Sequence, residues 1–184
     1  MRLDDFVLFD PQNNARTDLP KVNGYYIVAI RDINLFPTHG IEIITPIFRG
    51  HHVIYTGVAS KSLRNRIGSQ HLGLNAGRST LRQSIGCLMG FTQIPRDKSK
   101  PENGMVKFIE VEERALLEWI QKNLLFYYLP NSFPSELEDE LIRIMNPPLN
   151  IQKNHNPVNT EFRDLLKCLR RKKPWLTKPN NPSF

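Results

Sequence analysis

The sequence predicts an α+β fold, with a small mixed or antiparallel β-sheet flanked by helices. Its apolar runs are short, are bounded by glycine or proline, and alternate with segments whose apolar residues recur at helical spacing. Strands and helices follow one another without an internal repeat, which is typical of this class. The predicted strands cover residues 24–30, 53–55, 105–111 and 124–129. The predicted helices cover residues 62–71, 79–89, 112–123, 132–145 and 159–173.

The composition indicates a globular protein with an anionic partner. The chain has 184 residues, of which 40% are hydrophobic, which suits a single core and does not suit a disordered chain. The formal net charge is +7 and the pI is about 9.6. Such an excess of positive charge favours nucleic acid as the partner, with an acidic membrane surface as the second choice.

Cysteine usage and hydropathy argue against several protein classes. Cys87 and Cys168 are far apart, and neither has another cysteine nearby, which argues against a disulfide scaffold or a structural zinc site. The N-terminal residues lack a basic stretch followed by a long apolar run, and no segment approaches the length of a membrane span. We therefore expect a protein of the cytoplasm, with no membrane partner.

The first part of the chain contains two candidate strands that are separated by a long excursion. Residues 1–20 form a predicted N-terminal arm with a small apolar cluster. The strand at 24–30 is opened by glycine and tyrosine, and residues 31–50 then carry two glycines and two prolines. The strand at 53–55 is expected to run antiparallel to the first. We expect it to end at Gly57, because glycine can turn the chain without a steric penalty.

Serine caps and apolar spacing define the next two helices. Ser60 or Ser62 can accept the free amides of the first helical turn, and Leu63 and Ile67 then lie on one face. Ser79 or Thr80 can cap the following helix in the same way. A polar loop is predicted at residues 92–104.

The predicted organisation has three parts. Residues 1–20 form the arm, residues 21–150 form the main domain, and residues 151–184 form a basic C-terminal helix and tail. The boundary is set at the point where the alternation of strands and helices gives way to a basic segment.

Three sequence blocks carry a family resemblance. The tripeptide GYY at residues 24–26 and the tripeptide YTG at residues 55–57 each lie on a predicted strand, and Arg66 follows on the next helix. The third block, LEDELIRIMNPPLN, covers residues 137–150. In this order the blocks resemble the GIY-YIG nuclease superfamily. The long segment between Arg66 and the third block resembles the restriction-enzyme-like branch of that superfamily.

The resemblance implies four principal site residues. Glu138 matches the family's metal-binding glutamate, and Mg²⁺ or Mn²⁺ is the expected ion, since a hard cation suits a carboxylate. Arg66 matches an arginine whose guanidinium fork can hold phosphate oxygens. Tyr26 and Tyr55 match the two family tyrosines. We favour Tyr26 as the base and Tyr55 as a phosphate contact, although the resemblance does not choose between them. A tyrosine base requires nearby positive charge, because the free pKa is about 10.

Two further residues have open alternatives. Some family members have a histidine four residues after the arginine, whereas here His71 follows at five, which turns the side chain by about a quarter turn in an α-helix. His71 is therefore either a catalytic residue or a histidine at a helix end. Asn150 completes the third block. Its amide is expected to fix the backbone or a metal-bound water, and the alternative is a polar cap after the two prolines.

Basic residues on predicted helices are the candidate DNA contacts. Arg78 and Arg82 lie near the start of a predicted helix, where their charge opposes the helix dipole, so contact with phosphate explains them better than helix stability does. The alternative is that both arginines are solvated. The C-terminal helix has a basic face that either tracks DNA phosphates or is simply solvated. The predicted DNA contacts are Arg64, Arg78, Arg82, Arg170, Arg171 and Lys172.

Together these features predict a metal-dependent endonuclease that hydrolyses phosphodiester bonds in double-stranded DNA. Restriction or defence is the first expected setting, and repair is the second. The alternatives are a catalytically silent nucleic-acid-binding module and base excision on the same scaffold, which would not need a metal. Both a monomer and a homodimer are compatible with the sequence.

Overall fold

The structure is a computed structural model that describes residues 2–132 and 138–172. The strands are β1 (Val7–Phe9), β2 (Gly24–Ile30), β3 (Ile47–Phe48), β4 (His51–Ala59), β5 (Gln93–Pro95), β6 (Val106–Phe108) and β7 (Leu124–Pro130). The longer helices are a π-helix (Arg64–His71), α1 (Thr80–Leu88), α2 (Glu110–Asn123), α3 (Glu138–Met145) and α4 (Thr160–Arg171).

Five strands form one antiparallel sheet in the order β1-β7-β2-β4-β3, and β5 pairs with β6 in a small second sheet. Helices flank the main sheet, so the predicted α+β class is confirmed. Within the two described ranges, every helix is too short or too polar to cross a membrane.

The central strand of the main sheet is β2, which begins and ends where the sequence predicts. It pairs with β4 on one side and with β7 on the other, and every one of its residues is buried. On one face, Tyr26 and Val28 belong to a core that also contains residues of the π-helix, α1, α2 and α4. On the other face, Tyr25 and Ile27 belong to a second core that includes Leu141 of α3. The strand is therefore held on both edges and both faces.

Strand β4 is longer than predicted, and it continues through Gly57 instead of ending there. Gly57 pairs with Tyr26 across the sheet. A Cβ atom at Gly57 would lie 2.6 Å from Tyr26 Cζ. The prediction that this glycine makes a turn is therefore wrong, and its missing side chain instead leaves room for the tyrosine ring.

A β-bulge in β4 sets the direction of Tyr55. Tyr55 and Val53 pair with adjacent residues of β2, so Ile54 between them has no partner in the register. In a regular strand, side chains two residues apart share a face. With the extra residue, Val53 lies in the core on the α3 side and Tyr55 lies in the core on the side of the π-helix.

The helix predicted at 62–71 is a π-helix over Arg64–His71. Its turns are closed by hydrogen bonds between residues five apart, as between the Leu72 N–H and the Ile67 carbonyl at 3.0 Å. Leu63 and Ile67 are buried, as predicted. Because the turn is wider than in an α-helix, residues five apart lie on the same side.

Both ends of the described chain join the same core. The predicted N-terminal arm contributes β1, which pairs with β7 at the sheet edge. In α4, Phe162 and Leu166 are buried in the core on the π-helix side, and α4 packs against α1. The division of the chain at residue 150 stays a prediction. The predicted end of the last helix, Lys173, lies outside the described residues.

The remaining differences concern short elements. Strand β5 lies inside the polar loop predicted at 92–104. Strand β6 is shorter than the predicted 105–111, because α2 begins at Glu110. In the helix predicted at 132–145, α3 covers the second half, and residues 133–137 lie outside the described ranges.

We expect Gly57→Ala to destabilise the protein by about 1–3 kcal/mol, because the added methyl group overpacks the Tyr26 ring on a central strand. Urea unfolding followed by circular dichroism measures the change. Gly68→Ala is the matched control, since the three atoms nearest to a Cβ atom there belong to the side chains of Arg16 and Leu19, at 3.3–3.4 Å. Equal stability of the two variants would contradict the packing role of Gly57.

Candidate active site

A polar cleft of about 270 Å³ lies where β4, the π-helix, α3 and α4 meet. Tyr55 lines it from β4, Arg66 from the π-helix and Glu138 from α3. Asn150 lines it from the segment that follows α3, and Arg170 lines it from α4. The fold thus brings four of the six predicted catalytic residues to one cleft, together with one predicted DNA contact.

Tyr26 lies behind the cleft, and its hydroxyl joins two side chains of the π-helix. Arg66 donates from Nε to Tyr26 Oη at 3.1 Å, and His71 Nε2 is hydrogen-bonded to the same oxygen at 2.9 Å. The tyrosine is fully buried. Burial and the neighbouring Tyr55 raise the pKa of Tyr26 well above its ordinary value, although Arg66 acts in the opposite direction. The hydroxyl therefore keeps its proton at neutral pH.

The π-helix explains how His71 reaches the same hydroxyl as Arg66. In an α-helix, an offset of five residues would turn the histidine away, but in this π-helix residues five apart lie on one side. The expectation of a quarter-turn displacement is therefore wrong. The other ring nitrogen, Nδ1, is hydrogen-bonded to Ser79 Oγ at 2.7 Å. His71 thereby links the central strand to the start of α1.

His71 is a buried, neutral imidazole. Burial lowers its pKa well below the ordinary value, and the positive charges of Arg66 and Arg82 lower it further. A neutral imidazole has one N–H donor and one acceptor nitrogen, so it can bind the Tyr26 and Ser79 hydroxyls at once. Because His71 carries no charge, the attraction of a negatively charged substrate to this part of the site comes from Arg66.

Arg66 is held by three oxygen atoms. In addition to its bond with Tyr26, Nη1 donates to Gln70 Oε1 at 2.6 Å and to the Arg78 carbonyl at 3.3 Å. Arg66 also interacts electrostatically with Tyr55. Since Arg66 lines the cleft, these contacts hold its planar guanidinium there in a fixed orientation.

Of the two family tyrosines, Tyr55 is the one that lines the cleft. The Tyr26 and Tyr55 ring centroids are 6.2 Å apart, but Tyr26 has no exposed surface, whereas Tyr55 is 7% exposed. A general base must come within hydrogen-bond reach of the proton that it takes. The burial therefore argues against Tyr26 as the residue that contacts the attacking water, and it favours Tyr55.

Asn150 fixes the backbone of β4 beside Tyr55. Its Oδ1 accepts the N–H of Thr56, and its Nδ2 donates to the Thr56 carbonyl, both at 3.0 Å. The preceding residue, Leu149, donates its N–H to the carbonyl of Ile54 in the bulge, also at 3.0 Å. Of the roles considered for Asn150, fixation of the backbone is the one that these contacts support.

The Glu138 carboxylate forms an ion pair with Lys153. The glutamate side chain is 26% exposed, and Lys153 donates from Nζ to Glu138 Oε2 at 2.7 Å and to Asp139 Oδ1 at 2.9 Å. These hydrogen bonds raise the pKa of Lys153 above its ordinary value. The oxygen donor and the polar surroundings fit a hard cation such as Mg²⁺.

The donor set around Glu138 is sparse. Within residues 2–132 and 138–172, no group of three or more His, Cys, Asp or Glu side chains is placed to hold a metal ion. An ion at Glu138 would therefore keep most of its coordination sphere as water. Mg²⁺ loses its waters reluctantly and is commonly bound through one or two carboxylates, so the site fits this ion.

The sequence matches the GIY-YIG catalytic domain over residues 24–172. This chain belongs to the GIY-YIG family. The match includes both tyrosine blocks and the third block, and it continues through α4. Membership indicates a nuclease-type activity. No curated protein and no solved structure matches the chain.

Two of the predicted DNA contacts have hydrogen-bond partners within the protein. Arg82 is fully buried and pairs with Glu113 at 2.5 Å, so its predicted contact with DNA is wrong. That carboxylate, and not a phosphate, explains an arginine in the first turn of α1. Arg64 donates from Nε to the Leu19 carbonyl at 2.7 Å and from Nη2 to the Thr17 carbonyl at 2.5 Å. Its guanidinium thus holds the N-terminal arm, and because Arg64 is only half-buried its contact with DNA stays a prediction.

The other predicted DNA contacts divide by position. Arg78, Arg171 and Lys172 are exposed, and each stays a predicted contact. Arg170 is half-buried and lines the cleft. It is therefore close to four of the predicted catalytic residues.

Three residues of the site were not found by sequence reasoning. Lys153 follows Asn150 in a segment without any motif. Glu113 lies in the acidic first turn of α2, where the helix dipole alone would account for it. Ser79 carries a capping signal, and it does accept the Arg82 N–H at 3.1 Å, but its contact with His71 depends on tertiary structure.

We expect the free energy of unfolding to fall between pH 7.5 and pH 5.5, in part through His71. The folded state lowers the pKa of His71, so the unfolded chain binds its proton first, near the free pKa of about 6.5. Stability is present above that pH and is lost as the pH falls toward the folded pKa. His71→Gln keeps a hydrogen-bonding side chain that does not titrate, and should lose about 1 kcal/mol less over this interval.

Urea unfolding at the two pH values measures the difference between wild type and His71→Gln. His155→Gln is the control, since His155 is exposed, and it should follow the wild type. The same pH dependence in wild type and His71→Gln would contradict a buried, neutral His71.

Proposed function

We propose that this protein is a metal-dependent endonuclease that hydrolyses phosphodiester bonds in double-stranded DNA. The observation that supports this best is the cleft, which collects Tyr55, Arg66 and Glu138 within the matched catalytic domain. The family implies DNA as the substrate, and the net charge of +7 suits a polyanion.

Phosphodiester hydrolysis requires an oriented water, stabilisation of charge at phosphorus and assistance to the leaving oxygen. We assign to the Tyr55 hydroxyl the orientation of the attacking water. We assign to Arg66 the binding of the non-bridging phosphate oxygens. Glu138 would hold Mg²⁺ or Mn²⁺, which when bound stabilises the leaving 3′ oxygen. Lys153 is the cation that such an ion would replace at Glu138.

Tyr26 and His71 act behind the cleft in this proposal. The Tyr26 hydroxyl fixes Nε of Arg66, and His71 fixes that hydroxyl from the other side. Both residues therefore position the arginine and do not contact the substrate. Asn150 plays the corresponding part for Tyr55, because it holds the next residue of β4 through two hydrogen bonds.

The biological setting that we propose first is restriction or defence against foreign DNA, and the second is repair. The long segment between Arg66 and Glu138, with its resemblance to the restriction-enzyme-like branch, supports this order. The alternative of a catalytically silent binding module is tested by the same cleavage assays.

We expect Glu138→Gln to abolish cleavage of supercoiled plasmid in Mg²⁺ or Mn²⁺ and to retain DNA binding. The change removes the charge that would hold the cation and leaves the basic surface intact. Plasmid nicking and a gel-shift assay measure the two properties. Asp139→Asn is the control, because Asp139 also contacts Lys153 but is 71% exposed, and it should cleave normally. Wild-type cleavage by Glu138→Gln would refute the metal assignment.

We expect Tyr55→Phe to lower kcat by about 100-fold or more while the stability changes little, because a group that contacts the reacting water is lost. Tyr26→Phe removes the partner of Arg66 and His71, so it should lower stability by about 1–3 kcal/mol. Single-turnover cleavage and urea unfolding of both variants separate the two roles. Normal kcat in Tyr55→Phe, with none in Tyr26→Phe, would reverse the assignment.

A further inference from the structure

The buried arginines away from the cleft are matched by acceptors inside the protein. Arg82 pairs with the Glu113 carboxylate. Arg163 donates to the backbone carbonyls of Asn156 and Val158. Each of these cations is stabilised by groups of the folded chain, as buried charges must be.

Among the described residues, Arg170 has fewer hydrogen-bond acceptors than Arg82 or Arg163. Its guanidinium donates from Nη2 to Gln83 Oε1 at 3.2 Å, a neutral acceptor. Among residues 2–132 and 138–172, no carboxylate forms an ion pair with it. Burial lowers the pKa of Arg170, and the groups that oppose this effect, Cys87 and Tyr55, are not carboxylates. A half-buried cation that faces a cleft without an anion is suited to an anionic ligand.

Arg170 also lines two neighbouring cavities. It lines the cleft together with Arg66 and Tyr55. It lines a second hollow as well, to which Gln83 and Arg171 contribute. A DNA strand whose scissile phosphate is bound at Arg66 could extend past Arg170 into this second hollow. The phosphate groups of such a strand recur at every nucleotide, so a neighbouring phosphate would come near Arg170.

We propose that Arg170 binds the phosphate next to the scissile one and thereby positions the scissile phosphate at Arg66 and Glu138. The ligand is a phosphodiester monoanion, which the guanidinium fork can grip at two oxygens. This inference rests on the proposed endonuclease function. It separates Arg170 from the exposed Arg171 and Lys172, whose loss should weaken binding of DNA without slowing cleavage of the bound substrate.

The first test is cleavage at saturating DNA by Arg170→Met, which keeps most of the aliphatic packing and removes the charge. We expect kcat to fall by about 10- to 100-fold, as for the loss of one charged hydrogen bond. Arg170→Lys should recover only part of the rate, because it lacks the planar fork. Circular dichroism and thermal unfolding establish that both variants are folded.

Two comparison variants define what a general loss of charge does. Arg114→Ala removes a charge from the exposed surface of α2, where Arg114 pairs with Glu110, and it should cleave as the wild type does. Arg171→Ala should raise KM and lower the salt dependence of binding by about one unit, with little change in kcat. A fall in kcat that occurs in the Arg170 variants and not in the two comparison variants supports the proposed role of Arg170.

The second test neutralises the DNA instead of the protein. Oligonucleotides carry a single uncharged methylphosphonate at each position around the mapped cleavage site. A methylphosphonate at one position adjacent to the scissile phosphate should slow cleavage by the wild type. At that position Arg170→Met should lose no further rate, because both changes remove the same contact.

The outcomes are distinct for the two proposals. If the wild-type protein cleaves DNA and Arg170→Met has a normal kcat, the role of Arg170 is overturned and the nuclease assignment stays intact. If the rate losses caused by Arg170→Met and by the methylphosphonate multiply at every position, the role of Arg170 is overturned as well. If the wild type cleaves no DNA in Mg²⁺ or Mn²⁺, the nuclease proposal fails, and the role of Arg170 fails with it.

Discussion

The hydroxyl of Tyr26 is the contact on which the geometry of the site depends. It joins the central strand to the π-helix through Arg66 and His71. The strand that carries it is paired on both edges and buried on both faces, so the hydroxyl cannot move far. Gly57 makes the room that the ring needs. The orientation of Arg66 in the cleft is therefore set by the core of the protein and not by the surface.

Two departures from regular secondary structure direct the functional side chains. The bulge at Ile54 moves Tyr55 to the cleft side of the sheet, where an unbroken strand would leave it facing α3. The π-helix places His71 and Arg66 on one side although they are five residues apart. In each case one extra residue changes the face on which a side chain lies, and Asn150 then fixes the strand next to the bulge.

The cationic side chains of the protein occupy three kinds of environment. Some arginines, such as Arg82, are structural cations that are neutralised inside the core. Others, such as Arg171, are solvated and contribute to a general attraction for polyanions. Arg66 and Arg170 are held in the cleft by neutral oxygen acceptors, so they retain an unneutralised charge at the place where a phosphate would react. Net charge alone does not distinguish these kinds.

The sequence by itself determined those features that depend on near neighbours. The apolar run of β2, the serine cap of α1 and the apolar spacing of α2 and α4 act over a few residues, and these elements lie close to their predicted positions. The tertiary structure decided what depends on distant partners. Arg82 meets Glu113 from 31 residues away, His71 meets Tyr26 from 45, and Arg170 meets Gln83 from 87. Side-chain burial and pairing at such separations are set by the packing of the whole chain, which no local pattern contains.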